Sequence, residues 1–239
     1  MNELLLDFNK KVREINHYFR LVKFLDDKQH IDGFRITTEQ QATLKANCYL
    51  LLYNLIESSI IEGLDAIFAD INQQNIAFEC LNDNYKKIWL EYKYQLVSKA
   101  KKSNCKNFSR SYSEIIDDLA VFKILSYTDK TGVVYEDYKG YLKTLEVSSE
   151  VSGNLDARKI RELSESYGFF VPEKCVELLI IKNFRNHLAH GEKTFSEIGK
   201  EKSVPELITI NVRVILYLRA VLKNISNFIN NKQYLKLTD

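Results

Sequence analysis

Arg185, Asn186, His187 and His190 lie together in the stretch KNFRNHLAHG, residues 182–191, at the end of an apolar run. An arginine offers a planar, permanently charged fork that grips phosphate oxygens. An imidazole titrates near neutral pH and can take or give a proton. Together these are two of the groups that RNA cleavage without a metal ion needs. The histidine deprotonates a 2′-hydroxyl or protonates the leaving oxygen. The arginine neutralises the charge that builds on the phosphoryl group. Asn186 and His190 are four apart, so on a helix they share a face. Arg185 is five before His190 and starts from another side, but its long arm can swing across at a helix end. The same residue types also suit a plainer role, compensating the helix dipole and capping the last carbonyls. Spacing alone leaves both readings open.

The element that must carry these residues is a helix predicted over 172–190. Pro172 near its start loses nothing by lacking an N–H, the run Val176 to Ile181 supplies a buried side, and Gly191 suits the left-handed position just past its end. A second helix is predicted over 38–72, opened by Thr37-Thr38-Glu39, with Leu44, Leu51, Ile56, Ile60, Leu64 and Ile67 as its core side. Tyr53, Glu57, Ile61 and Leu64 share one of its faces by the four-residue rule. Glu57 is therefore a carboxylate among apolar neighbours, either a rim residue reaching water or an acid that orients His190 or Arg185; Asn54 is a weaker candidate of the same kind.

The remaining pattern is helical too. Leu5, Phe8, Val12, Ile15, Phe19 and Val22 recur at three and four residues, which predicts an amphipathic helix over 3–25, followed by a connector over 26–37. Helices are expected over 84–101 and 111–127, with a hairpin or irregular excursion over 128–153. Asn154 is placed to cap a helix over 155–167 that Gly168 closes. Thr194-Phe195-Ser196-Glu197 and Ser203-Val204-Pro205-Glu206 both have capping-box spacing; the second opens a helix over 204–231, and Phe195 is expected to anchor the loop beside His190. With two prolines and eight glycines in 239 residues, the expectation is one all-α domain over 1–239, a helical bundle.

A net charge of +2 excludes indiscriminate coating of nucleic acid, so RNA contact must come from a local patch. From Tyr85 to Arg110, lysines are interleaved with Tyr85, Trp89, Tyr92, Tyr94 and Phe108. That suits a single-stranded RNA groove, and equally a solvated basic face over an aromatic core stripe. Lys99, Lys101 and Lys102 are candidate substrate contacts there, as are Lys182 and His187 beside the arginine. Cys48, Cys80, Cys105 and Cys175 form no Cys-x-x-Cys and read as reduced thiols of a cytoplasmic protein. The first residues, MNELLLD, do not make a signal peptide, and no apolar run reaches the ~20 residues of a membrane span. His187 and His190 could share an ion, but no cysteine and no further helical Glu-x-x-His completes a shell, so no metal and no cofactor is expected.

Arg-Asn-x-x-x-His at the end of an apolar helix, followed by Gly, resembles the motif of the HEPN superfamily of RNases and nucleotide binders. Three blocks in order, LLLYNLIESSI beginning at Leu50, SGNLDARKIRELSESYGF over 152–169 and RNHLAHGEKTFSEIGK over 185–200, are similar to the MAE-type HEPN-like nucleases of bacterial defence and toxin systems. The resemblance spans about residues 45–232 and implies a HEPN-like all-α bundle and a metal-independent endoribonuclease. It implies catalytic roles for Arg185, Asn186 and His190, and favours Glu57 as an acid aimed at the motif. It also implies a homodimer whose two motif helices make one composite cleft, supplying the second catalytic histidine that one copy lacks. RNA is then the substrate, with an antitoxin or defence-system partner. The competing class is a non-catalytic RNA- or nucleotide-binding or helical interaction module that regulates a partner protein.

Overall fold

In the chain's second helix, Leu52, Tyr53, Leu55, Ile56, Ile60, Leu64 and Ile67 are all buried over a broad arc, while Asn54 and Asp65 on the other side are exposed. A helix with so wide an apolar face can pack against several neighbours at once. The computed structural model describes residues 3–28, 30–31, 34–74, 76, 80–88 and 155–236. This second helix, α2, spans Thr38–Gln73. At 1.5 Å per residue it is about 54 Å long. Before it come α1, Glu3–Asp27, and a two-residue antiparallel ladder, β1 (His30–Ile31) with β2 (Phe34–Arg35), in which His30 pairs with Arg35. After it come α3 (Ala157–Tyr167), α4 (Glu177–Ala189), α5 (Phe195–Lys200) and α6 (Val204–Asn230). The architecture is all-α.

The described residues fall into two compact units. The first unit's described residues lie within 3–66, 155–165 and 169–227. In it α1 runs antiparallel to α2, since Lys11 meets Glu62 while Tyr18 donates to the Leu44 carbonyl. It is antiparallel to α6 as well, with Asn9 on Arg219 and Asn16 on Asn211. Hence α2 and α6 run parallel. They approach closely where α2 has Gly63, at which a Cβ would come within 2.7 Å of Ile225 Cδ1. Gly199 of α5 is tighter still: a Cβ there would lie 1.8 Å from the Ala42 carbonyl oxygen, so only glycine lets α5 sit on the first turns of α2.

The second unit's described residues lie within 67–88, 166–168 and 228–236. Its described part is an aromatic cluster. Tyr85 stacks on Phe228 at 6.1 Å and meets Phe68, Tyr167 and Tyr234 edge-on, while the Tyr234 hydroxyl donates to Asp70 at 2.6 Å. Tyr85 is thus a core residue and not a stacking platform for bases; of the two readings of this segment, the aromatic core stripe holds for Tyr85.

The corrections to the sequence reading have local causes. In α1 it is Leu4, not Leu5, that is buried at the start of the stripe, and in α2 Leu44 and Leu51 are only half-buried. Both capping boxes form. The Thr194 hydroxyl accepts from the Glu197 N–H and Glu197 accepts from the Thr194 N–H; Ser203 and Glu206 do the same at the start of α6. Phe195, expected to anchor the loop, is exposed, and Ile198 is buried instead, because Gly199 brings that side of α5 onto α2. The helix expected from 84 is seen over 83–88; the rest of 89–154, with the helix over 111–127, the excursion over 128–153 and Asn154, lies outside the described residues.

Candidate functional site

α4 is shorter at its start than the sequence suggests. It begins at Glu177, not near Pro172. Phe169, Val171 and Cys175 before it are buried as non-helical chain, so the apolar run extends past the helix that it predicted. The start is fixed by Glu177, whose carboxylate receives Arg213 of α6 at 2.6 Å and the Cys175 thiol at 3.4 Å. Burial raises the Glu177 carboxyl, but the hydrogen bonds from Arg213, its own backbone N–H and the Cys175 thiol, with the Arg213 charge, together outweigh it and hold it below its usual range. The same surroundings push the Cys175 thiol up to about 12, burial first and the Glu177 carboxylate second. The end follows the expected pattern. Gly191 has φ +68°, its N–H reaches the Leu188 carbonyl, and the Glu192 N–H reaches the His187 carbonyl at 2.9 Å. These two bonds are a Schellman closure.

Leu178 and Ile181 bury the inner face of α4, and Arg185 continues that face. Its guanidinium carbon lies 4.7 Å from the centroid of the Tyr53 ring, a cation–π contact. The neighbouring Phe184 ring packs on Tyr49 at 4.7 Å, which sets α4 against α2. The Tyr53 hydroxyl accepts from the Leu155 N–H at 3.4 Å. Burial raises this hydroxyl's pKa most; Glu57 and Asp156 raise it further, against Leu155 and Arg185. Glu57, half-buried one turn along α2, therefore acts on the same hydroxyl as Arg185, with opposite sign.

Lys182, one turn before Arg185, turns to Asp156, and both side chains are largely buried. Asp156 has two tasks. One oxygen accepts the Lys159 N–H at 2.9 Å and so caps α3; the other takes the Lys182 ammonium. Burial pushes its carboxyl up, but Lys182 and the N–H groups of Lys159 and Arg158 outweigh that and hold it below the usual range. The helix over 155–167 thus starts at Ala157 and is capped by Asp156.

On the outer side, Arg185 Nη1 donates to Asn186 Oδ1 at 3.2 Å, so the guanidinium reaches from the Tyr53 ring toward the solvent side of the helix. Asn186 shares that side with His190, which is exposed and whose backbone N–H bonds the Asn186 carbonyl at 2.9 Å. His187 Nδ1 lies 2.6 Å from Glu192 Oε2.

The structure thus brings Arg185, Asn186, His187 and His190 to one end of α4, leaves Glu57 near enough to act electrostatically on the Tyr53 hydroxyl, and engages Lys182 with Asp156. Lys99, Lys101 and Lys102 lie outside the described residues. Sequence reasoning did not find Tyr53 as the platform under Arg185, Asp156 as the partner of Lys182, or Glu192 as the partner of His187. For Glu192 a signal existed: a Gly at the helix end folds the next residue back over the last turn. Among the described residues there is no group of three or more His, Cys, Asp or Glu able to hold a metal ion, and no helix long and apolar enough to cross a membrane.

An all-α fold with an arginine-to-histidine motif closing an inner helix defines the class, HEPN-like domains. A model of the MAE_28990-like HEPN family matches residues 1–234, and the chain belongs to that family. Neither a curated protein nor a solved structure matched.

Proposed function

We propose that the protein is a metal-independent endoribonuclease of the HEPN type, acting in a defence or toxin–antitoxin setting. The RNA's own 2′-hydroxyl attacks the adjacent phosphate and leaves a cyclic phosphate end. Arg185 grips and neutralises the phosphoryl group, Asn186 positions that grip, His190 transfers a proton, and Glu57 tunes the site through Tyr53. The protein acts as a homodimer in which two copies of α4 line one cleft and contact RNA. One observation carries this reading. Arg185 is held by two neutral partners, the Tyr53 ring and the Asn186 amide, on the way to the side where His190 stands. Among the described residues no carboxylate pairs with this guanidinium, and a guanidinium so placed keeps its charge for an incoming phosphate.

The test is cleavage of bulk RNA and tRNA in chelator, with Arg185→Ala and His190→Ala alongside and folding checked by circular dichroism. Each variant is expected to lose at least ~100-fold in rate, the usual contribution of a positioned proton carrier or charge stabiliser. Intact RNA of every class after incubation with folded wild type, or cutting that survives both substitutions, overturns the proposal.

A further inference from the structure

We infer that His187 and Glu192 together form the general base of this site and His190 the general acid, so that one chain holds both proton-transfer groups. The inference rests on the ribonuclease reading above and goes beyond it, because it removes the need to borrow a histidine from a second copy.

The geometry is built by the end of α4. Gly191 takes a left-handed conformation, φ +68°, and turns the chain back. That return bonds the Glu192 N–H to the His187 carbonyl at 2.9 Å and brings the Glu192 carboxylate within 2.6 Å of His187 Nδ1. A carboxylate only accepts, so the proton of the neutral imidazole sits on Nδ1. Nε2 is left with its lone pair, the tautomer a base requires, by the logic of an acid orienting a histidine in hydrolases. Both side chains are accessible, His187 at 38% and Glu192 at 57%, so a polymeric substrate can reach them. An exposed pair of this kind adds little to stability, which leaves the fold little reason to need it.

His190 differs. It is exposed, and its imidazole has no hydrogen-bonding partner among the described residues. Successive residues advance ~100° around a helix, so His190 falls between Asn186 and His187. The polar arc therefore runs Arg185, Asn186, His190, His187. Residues three apart have Cβ atoms ~5–6 Å apart, room for two imidazoles to serve two oxygens of one phosphorus.

In the step, His187 Nε2 takes the 2′-hydroxyl proton as the 2′-oxygen forms its bond to phosphorus. The bond from phosphorus to the 5′-oxygen breaks, and that oxygen takes a proton from the His190 imidazolium. The products are a 2′,3′-cyclic phosphate and a 5′-hydroxyl, and water returns the proton from His187 to His190. Nothing is oxidised or reduced.

Two measurements test this. The first compares an RNA oligonucleotide that the wild type cuts with the same oligonucleotide carrying a bridging 5′-sulfur at the cut. A thiolate leaves without a general acid, its conjugate pKa being ~8.5. His190→Ala is expected to recover to within tenfold of wild type on the sulfur substrate. His187→Ala, down ~100-fold or more on ordinary RNA, stays down on both. Glu192→Gln, which keeps the shape, loses ~10–100-fold in kcat with KM unchanged, as expected of a residue that orients another. The second mixes His187→Ala with His190→Ala. If the two histidines served one site from different copies, mixed dimers would regain activity; no recovery is expected. Recovery on mixing, recovery of His187→Ala on the sulfur substrate, or full activity of His187→Ala and Glu192→Gln where His190→Ala is dead each overturns the inference and leaves the ribonuclease reading standing. RNA left intact by wild type ends both.

Discussion

The two ends of α4 handle charge in opposite ways. In its first turns each charge meets its opposite: Glu177 receives Arg213, and Lys182 goes to Asp156. Burial raises both carboxyls, and the cations together with neighbouring hydrogen-bond donors more than offset it. In its last turns Arg185 rests on a ring and an amide, and His190 faces solvent. The first end tolerates burial because its charges are matched. At the second, His187 meets Glu192, while Arg185 pairs with no carboxylate among the described residues, as the proposed contact with an anionic substrate would require. On the proposed reading one helix serves as frame and as working edge, and substitutions at the two ends should separate stability from activity.

The largest framework effect is expected at Asp156. Asp156→Ala removes the cap of α3 and leaves Lys182 largely buried without its counter-charge, a loss of about 3 kcal/mol. For a chain of this size that lowers Tm by roughly 6–12 °C in a thermal melt. Asp156→Asn keeps a good cap and removes only the charge, so its loss should be about half as large. The pH dependence follows from the direction of the shift. The folded carboxyl sits below its usual value, so its contribution is present above the unfolded pKa of about 3.9 and lost as pH falls through the lower folded value. The Tm gap between wild type and Asp156→Asn should therefore be open at neutral pH and close on acidification. A gap that widens in acid would mean that Lys182 does not hold the carboxylate.

Tyr53 tests the join between frame and edge, with a smaller effect. Tyr53→Phe keeps the ring beneath Arg185 and loses only the bond from the Leu155 N–H. Tyr53→Leu keeps apolar volume and loses the π face, whose contact with a cation contributes about 0.5–2 kcal/mol. RNA cleavage is expected to change less than threefold in the first and to fall roughly 3- to 30-fold in the second. Equal rates would show that the ring merely fills space.

What the sequence revealed and what it hid divide along the range of the interactions. Phe8, Val12, Ile15, Phe19 and Val22 repeat within α1, and Thr194–Glu197 and Ser203–Glu206 close within one turn, so local spacing was enough to find them. Gly191 was legible because only the end of a helix wants a left-handed glycine. The start of α4 was not, since Val171 and Cys175 are apolar for burial in non-helical chain and mimic a helix face. Asp156 with Lys182 and Tyr53 with Arg185 are matched across the fold, and no spacing rule connects them. The motif itself was readable, whereas the groups that orient it were distributed over α2 and the start of α3.

The smallest effect belongs to the box that opens α6, where the sequence was most fully legible. Ser203 Oγ accepts the Glu206 N–H, and the Glu206 carboxylate accepts the Ser203 N–H and meets Lys202 at 2.9 Å. These partners, the Ser203 N–H first, hold Glu206 at about 2. Its contribution is thus fully present above the unfolded value of about 4.3 and is lost as pH falls toward 2. Ser203→Ala removes the hydroxyl half of the box and should lower Tm by about 2–4 °C at neutral pH. The difference should shrink below pH ~4, as protonation of Glu206 removes the bond that its carboxylate accepts from the Ser203 hydroxyl, which only the wild type has. RNA cleavage at a temperature well below both melts should be unchanged, since the box lies at the start of α6 and contributes no group to the polar arc at the end of α4. A cleavage defect in folded Ser203→Ala would show that the frame and the working edge are coupled more tightly than the opposite ends of α4 suggest.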